Sequence, residues 1–184
     1  MRNLIKGIAL VALVFTAFSC SKDEAKDFKT SSIAKIAEIT PEFSSFKEAL
    51  EVTGLKATFE DAGNYTVFVP TNAAFAPVLG GLTVAEFNTA NPGLLETVLK
   101  YHVIANAGVL SKDLTDGQVV TTLQGQNITV ALEPNTYFPD FDSDLLDFEE
   151  TSIFINSARV FARDVKCTNG VIHVIDSVLL PPSS

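Results

Sequence analysis

Residues 65–75 of the chain read YTVFVPTNAAF, and this stretch decides the fold. Its first five residues are aromatic or β-branched, and the apolar run VFV inside it is typical of a strand that is buried on both faces. Pro70 lacks a backbone N–H, so we expect the strand to end there. Thr71 or Asn72 then offers a side-chain oxygen to the first free N–H groups of a short helix that buries Phe75. The stretch therefore predicts a strand, a sharp corner and a capped helix within one rigid unit.

The composition predicts a folded, acidic domain. The chain has 184 residues, of which 47% are hydrophobic and 19% are charged, and this supports a sizeable core in one domain. Asp and Glu number 22 against 13 Lys and Arg, and such a surface repels phosphate backbones. We therefore expect no nucleic acid among the partners. The chain has no glycine-rich phosphate loop after a strand and no zinc-type Cys/His spacing, so we also expect no cofactor.

Residues 1–19 have the order of an export signal. Arg2 and Lys6 give a positive start, and an apolar run of about twelve residues follows, short of the roughly 20 that a membrane span needs. The segment closes with AFSC at 17–20, which resembles a bacterial lipobox. Two interpretations stay open. Cys20 carries a diacyl lipid that anchors the chain, or the signal is an ordinary cleaved one that happens to contain this cysteine.

Residues 20–30 are polar and without periodicity, which predicts a flexible tether. The sequence SKDE at 21–24 resembles the lysine-then-acid signal of Bacteroidetes lipoproteins that reach the outer leaflet, although a generic hydrophilic spacer explains it equally well. Loss of residues 1–19 removes two cations and no acids, so the formal net charge falls from −9 to −11. These features predict a surface-exposed outer-membrane lipoprotein whose domain stands off the bilayer.

Two further motifs lie downstream of the opening stretch. Tyr101-His102 follows an apolar helical pattern, and residues 169–176 read NGVIHVID, in which Asn-Gly predicts a tight turn into a strand. Together with the opening stretch, these motifs resemble the signatures of the fasciclin (FAS1, beta-Ig-H3) domain family in their order and spacing. The usual family string is TVFAPTNxAF, and it is matched here by Thr66, Val67, Phe68, Pro70, Thr71, Asn72, Ala74 and Phe75.

The resemblance implies one α+β domain over residues 31–182, in which short helices pack on a small, mostly antiparallel, wedge-shaped β-structure. The residue pattern agrees, because helical periodicity before residue 102 gives way to a period of two after it. The resemblance also implies a non-enzymatic surface module for adhesion or for contact with matrix proteins or glycans. Its partners would be the membrane, through the lipid, and a cell-surface protein or polysaccharide. The alternative is an envelope carrier of a small molecule, or an auxiliary subunit of an uptake or assembly complex.

Four residues are candidates for partner binding by resemblance. In fasciclin domains the Tyr-His pair is tied both to core integrity and to adhesion, so Tyr101 and His102 carry both interpretations. Adhesive relatives have an acid followed by isoleucine just before the last signature, and Asp164-Val165 occupies that place. The alternative for Asp164 is an ion pair with Arg163 or Lys166 and no further role.

The sequence around His173 and around the serine and cysteine residues gives little sign of a catalytic site. His173 alternates with apolar residues, which favours a hydrogen-bonded side chain that locks the closing strand to the helices. No serine or cysteine lies in a recognisable nucleophile motif, so we expect no enzyme.

Residues 133–151 depart most from a minimal fasciclin domain. They contain seven acids and no bases. One interpretation is a solvated excursion whose aromatics pack back on the sheet, and another is a partner-binding surface. The candidate contact residues of that surface are Tyr137, Phe138 and Phe141.

The same segment offers a weak calcium candidate. Its acids alternate at Asp140, Asp142 and Asp144, as the oxygen ligands of a Ca²⁺ loop do. Leu145 and Thr151 stand where an EF-hand has its glycine and its bidentate glutamate, so an EF-hand is rejected and only an irregular site stays open.

Overall fold

The computed structural model describes residues 30–134 and 151–182. Two short 3₁₀ turns lie at Pro41–Phe43 and Ser111–Asp113. The helices are α1 (Ile33–Ile39), α2 (Ser44–Val52), α3 (Lys56–Glu60), α4 (Asn72–Leu79), α5 (Val84–Ala90) and α6 (Leu94–Tyr101). The strands are β1 (Tyr65–Pro70), β2 (Val103–Ile104), β3 (Val119–Thr121), β4 (Asn127–Glu133), β5 (Ser152–Ile155), β6 (Ala158–Cys167) and β7 (Gly170–Ile175).

The corner between β1 and α4 forms as the sequence predicts. β1 ends at Pro70, and the Thr71 side chain caps α4 by accepting the N–H of Ala74 at 3.3 Å. Phe75 is buried. Asn72, the other candidate cap, has a different task, because its Oδ1 accepts from the N–H of Ser45 at 2.9 Å. The first turn of α4 is thereby tied to α2.

Seven strands form one mostly antiparallel, nearly closed sheet in the order β2-β1-β7-β6-β5-β4-β3. Among the strands in the described residues, the pair β1–β7 is parallel, and the other neighbours are antiparallel. The two ends of the order approach each other where the N–H of Leu123, just after β3, donates to the carbonyl of Val103 in β2 at 2.7 Å. The predicted α+β, fasciclin-like architecture is confirmed.

Two hydrophobic cores lie on the two faces of β1. The helices cover one face, where Val67 and Val69 pack with Ile172 and Val174 of β7. The other core fills the inside of the curled sheet and includes Phe68. Successive side chains of a strand point to opposite faces, so the VFV run contributes to both cores. Burial of one such side chain stabilises the fold by about 1.5–3 kcal/mol.

The helices are short and end on local signals. Thr83 and Glu86 form the capping box at the start of α5, and Ser32 caps α1 by accepting the N–H of Lys35. The longest helix in residues 30–134 and 151–182 has nine residues. None of the helices in this described part is long and apolar enough to cross a membrane.

Strand β6 is irregular in its middle. Its pairing with β7 shifts between Val160 and Ala162, and again between Ala162 and Val165. Asp164 lies in the second irregular stretch with a φ of 62°. This left-handed backbone is uncommon outside glycine, although Asn and Asp adopt it more readily than other residues do. The irregularity turns the Asp164 carboxylate towards the loop that precedes β3.

Candidate functional site

Tyr101 lies at the end of α6 and joins that helix to the far side of the sheet. Its hydroxyl donates to the carbonyl of Asn127 in β4 at 2.8 Å and accepts from the side-chain amide of Asn156 at 3.1 Å. The residue is 1% exposed. The side chain therefore acts inside the fold, as the core interpretation of the Tyr-His pair requires.

His102 is buried directly after Tyr101, and both of its ring nitrogens are bonded. The backbone N–H of Leu179 donates to Nε2 at 2.9 Å, so Nε2 is the acceptor of a neutral ring. Nδ1 then carries the proton and donates to the carbonyl of Val98 at 2.7 Å. Burial lowers the pKa of His102 to about 4, against a smaller opposing effect of the bond to Val98. His102 is therefore a neutral structural link at pH 7.

Asp164 is held by Ser111, which lies in the loop before β3. Ser111 donates to the carboxylate twice, through its backbone N–H at 2.7 Å and through its hydroxyl. Partial burial raises the pKa of Asp164, but the two bonds from Ser111 outweigh this effect, and the pKa lies below its ordinary value. Ser111 is thus a hydrogen-bond partner of Asp164 from 53 positions away, and the charge of Arg163 also lowers the pKa of this carboxyl. Val165 next to it is half-buried and packs against the helical core.

His173 lies on β7 with its ring inside the fold. Its Nδ1 accepts from the N–H of Asp164 at 3.4 Å, so Nε2 carries the proton and donates to the carbonyl of Val109 at 3.0 Å. Burial lowers the pKa of His173, and the bond to Val109 opposes that shift. The bonds of this histidine run to the loop before β3 and to β6, so the predicted lock joins β7 to these segments rather than to the helices.

Serine, histidine and aspartate meet here without the order of a catalytic triad. In a triad the histidine accepts the proton of the nucleophile, and the acid orients the histidine. Here the Ser111 hydroxyl donates directly to the Asp164 carboxylate. The ring nitrogens of His173 are bonded to the Val109 carbonyl and to the Asp164 N–H. The cluster is therefore a clasp between a loop and an irregular strand, in which no histidine nitrogen accepts from the hydroxyl.

Asn169 links several elements of the fold through its side chain, although the sequence predicted only a turn at this position. Its side chain accepts from the N–H of Ile33 at 3.0 Å and donates to the carbonyls of Phe59 and Asp61 at 2.8 and 3.0 Å. Its own carbonyl accepts from the N–H of Tyr65 at 3.0 Å. The turn before β7 thus fixes α1, α3 and β1 at one point. The Asn-Gly pair was visible in the sequence, but the burial of its side chain was not.

Several predicted site residues lie outside the described residues. They are Cys20, Tyr137, Phe138, Phe141, Asp140, Asp142 and Asp144. All of them except Cys20 lie in the segment that joins β4 to β5, whose ends are register partners at Glu133 and Ser152. Within residues 30–134 and 151–182, no group of three or more His, Cys, Asp or Glu side chains is placed to hold a metal ion. The lipid, contact and calcium assignments stay predictions.

The fold and its three linked motifs define the class of protein. This is an α+β domain in which the opening strand and the closing strand pair in parallel within a nearly closed sheet, next to a helix that ends in Tyr-His. Residues 41–181 match the model of the family described as Fasciclin domain. The chain belongs to this family.

Relatives of the chain come from bacteria and animals. Protein sll1483 of Synechocystis is 28% identical over 95% of this chain and 87% of its own length. Immunogenic protein MPB70 of Mycobacterium bovis is 35% identical over 67% of this chain, which spans 53% of that protein. Human periostin is 31% identical over 83% of this chain, which spans 16% of periostin. The chain thus corresponds to only a part of the longer relatives.

A solved structure shares the fold. It is a pair of FAS1 domains from the insect cell adhesion molecule fasciclin I, with a TM-score of 0.62 and 20% identity. The match covers 83% of this chain and 52% of that one. At this identity the likeness supports the architecture alone.

Proposed function

We propose that the chain is a non-enzymatic adhesion module of a bacterial cell envelope, anchored in the outer membrane by a lipid on Cys20 and exposed at the surface. One observation carries the non-enzymatic part. Both ring nitrogens of His102 and of His173 are bonded to backbone groups, and the Asp164 carboxylate is occupied by Ser111. The side chains with the chemistry for catalysis are thus used to hold the fold together.

Adhesion is supported by the family and not by a ligand. The chain belongs to the fasciclin family, and its fold is shared with a domain pair from an insect cell adhesion molecule. A module of this kind acts through its outer surface, since its interior is packed. The partner class that we propose is a cell-surface protein or polysaccharide.

The contact residues divide into two groups. Tyr101 and His102 are 1% exposed, so we propose that they serve adhesion by holding the fold. Asp164 and Val165 are half-buried, and the carboxylate of Asp164 is already bonded. We therefore propose that Tyr137, Phe138 and Phe141 of the acidic segment contact the partner directly, because aromatic side chains are typical of interface cores.

The carrier alternative finds no support in the described part of the sheet. Inside the curled strands Phe68, Ile128 and Ile155 are each at most 1% exposed, and they pack with Tyr101. Side chains of this size occupy the space that an enclosed ligand would need. An adhesive surface role requires no such space.

The anchor is tested in cells that express the full chain. We compare the wild-type protein with Cys20→Ser and follow palmitate incorporation, membrane fractionation and surface accessibility to protease. Lipid label and membrane retention should both be lost in the variant. A wild-type protein that carries no lipid and washes off membranes would contradict the anchor.

Adhesion is tested in the same cells by aggregation and by binding to purified envelope polymer. Deletion of residues 135–150 should weaken binding, while circular dichroism shows the same fold. Addition of a chelator tests the calcium candidate, because loss of binding only in wild type would indicate a Ca²⁺ site in this segment. Equal binding with and without the segment would remove Tyr137, Phe138 and Phe141 from the contact surface.

A further inference from the structure

The chain continues beyond the last strand as a strap, which we define as residues 176–182. At its start the Asp176 carboxylate accepts the N–H of Arg159 at 3.0 Å. In its middle the N–H of Leu179 donates to His102 Nε2. Near its end the carbonyl of Pro182 accepts from the side-chain amide of Gln126 at 3.3 Å. The strap thus passes over the junction between α6 and β2.

Leu179 inserts from the strap into the inside of the sheet. Its side chain is 3% exposed and belongs to the core that contains Phe68 and Tyr101. Leu180 beside it is 58% exposed. Pro181 and Pro182 have no backbone N–H, so they offer no donor to hold this part of the chain. The inserted leucine and its N–H therefore provide the central attachment of the strap.

The surroundings of His102 are uncharged. The Val98 carbonyl faces Nδ1 from α6, the Leu179 N–H faces Nε2 from the strap, and the N–H of Phe68 in β1 donates to the His102 carbonyl at 2.9 Å. Burial and the bond to Val98 account for the shifted pKa of His102, with no contribution from a charged side chain. A proton that binds this ring finds no counter-ion.

We propose that His102 is an acid-sensitive latch that releases the strap from the sheet. The proton comes from solvent and binds the lone pair of Nε2, which until then accepts from the Leu179 N–H. Nε2 then becomes a donor that faces the N–H of Leu179, and the hydrogen bond between His102 and the strap is lost. Withdrawal of Leu179 from the core exposes an apolar surface next to Tyr101 and Phe68.

Asp176 still donates its N–H to the carbonyl of Arg159 at 3.1 Å, but the rest of the strap stands outside the ladder and therefore opens more easily than the strands. β7 is paired with β1 on one side and with β6 on the other, whereas the strap depends on separate contacts. When the strap is open, His102 contacts water and regains an ordinary pKa near 6.5, against about 4 when it is closed. Acid therefore favours the open form. Between pH 7 and pH 4.5 the opening equilibrium should rise by about 60-fold.

The test is amide hydrogen exchange of the full chain, followed by NMR at pH 7.0 and pH 4.5 and corrected for the intrinsic effect of pH. The protection factor of the Leu179 amide should fall by about 60-fold and stay below those of the β7 amides, because β7 exchanges only when the whole domain unfolds. His102→Gln retains an amide oxygen as an acceptor and does not titrate, so its strap should stay equally protected at both pH values. His173→Gln removes the other histidine and serves as the matched control, with wild-type behaviour of the strap.

Three results would overturn the latch. The first is Leu179 protection that does not change between pH 7.0 and pH 4.5, and the second is a pH effect that persists in His102→Gln. The third is equal protection of the Leu179 amide and the β7 amides, which would mean that the strap opens only with the whole domain. If His102→Gln does not fold, the ring titration of His102 in wild type is compared with strap opening, and different midpoints would contradict the proposal.

Discussion

Phe68 and His173 are register partners on the two parallel strands β1 and β7, and their rings stack with centroids 5.7 Å apart and 26° between their planes. Phe68 comes from the opening motif and His173 from the closing one. A parallel pair needs a long crossover, and here helices α4 to α6 and the other five strands lie between the two partners in sequence. The fold therefore exists only when both ends of the domain are present, and residues that fix this pair should dominate its stability.

Asn169 should be the most sensitive polar residue of the closing turn. Asn169→Ala leaves the N–H of Ile33 and the carbonyls of Phe59 and Asp61 without their partner in a buried place, which should lower the free energy of unfolding by about 3 kcal/mol. Urea unfolding followed by circular dichroism measures the loss. Asn88→Ala is the matched control, because that amide makes a single long bond of 3.5 Å. A similar loss of unfolding free energy in this control would contradict the special role of Asn169.

Gly170 should tolerate no side chain. A Cβ added there would overlap the backbone carbonyl oxygen of Tyr65, and backbone atoms of a central strand do not move aside. Gly170→Ala should therefore destabilise the domain by more than about 3 kcal/mol or prevent folding. Gly117→Ala is the control, since Gly117 also has a positive φ, of 71°, but open space around it, and should cost only about 1 kcal/mol. Equal melting temperatures of the two variants would refute the clash.

The sequence predicted features whose partners are close in the chain. The Thr71 cap joins residues three positions apart, so local chemistry was enough to find it. The bond from Ile33 to Asn169 spans 136 positions, and no local pattern encodes it. Asp164 shows the same limit. Its neighbours suggested an ion pair, and the charge of Arg163 does lower its pKa. The bonds from Ser111, 53 positions away, have no local signal, because an irregular strand turns the carboxylate towards that loop.

Asp164 should be sensitive to the kind of residue that replaces it. Asp164→Ala loses both bonds from Ser111 and places alanine at a φ of 62°, which should cost about 2–3 kcal/mol. Asp164→Asn tolerates this backbone and keeps one acceptor, so its loss should be about half as large. Ser111→Ala, which keeps the backbone donor, should resemble the Asn variant in urea unfolding. If the Asp164→Ala variant is as stable as wild type, the clasp contributes nothing.

The domain should lose stability in mild acid. Burial lowers the pKa of His102 to about 4 and also lowers that of His173, so the unfolded chain binds more protons than the native one below pH 6.5. The stability that these neutral rings contribute is thus complete above pH 6.5 and falls as the pH drops towards 4. His102 alone should remove about 2 kcal/mol between pH 7 and pH 4.5.

Urea unfolding at pH 7.0, 6.0, 5.0 and 4.5 checks this loss. Asp164 and Glu86 also have lowered pKa values, but their contribution is lost at lower pH, as the pH falls through those values. If the free energy of unfolding declines only below pH 4.5, the loss comes from carboxylates, and the role of the histidines is contradicted.

The Cys167 thiol should react slowly in the folded protein, so alkylation can report whether Cys20 is free or carries lipid. Burial raises the pKa of Cys167 to about 12 from an ordinary 9.0, so at pH 8 its thiolate fraction is about a thousandfold lower than in the unfolded chain. Full-length protein from membranes, treated briefly with iodoacetamide and examined by mass spectrometry, should gain no adduct when Cys20 carries lipid. It should gain one when Cys20 is free, and Cys167 should react only after urea is added. Rapid labelling of Cys167 in the folded protein would show that the thiol is more accessible than its packing against the helical core indicates.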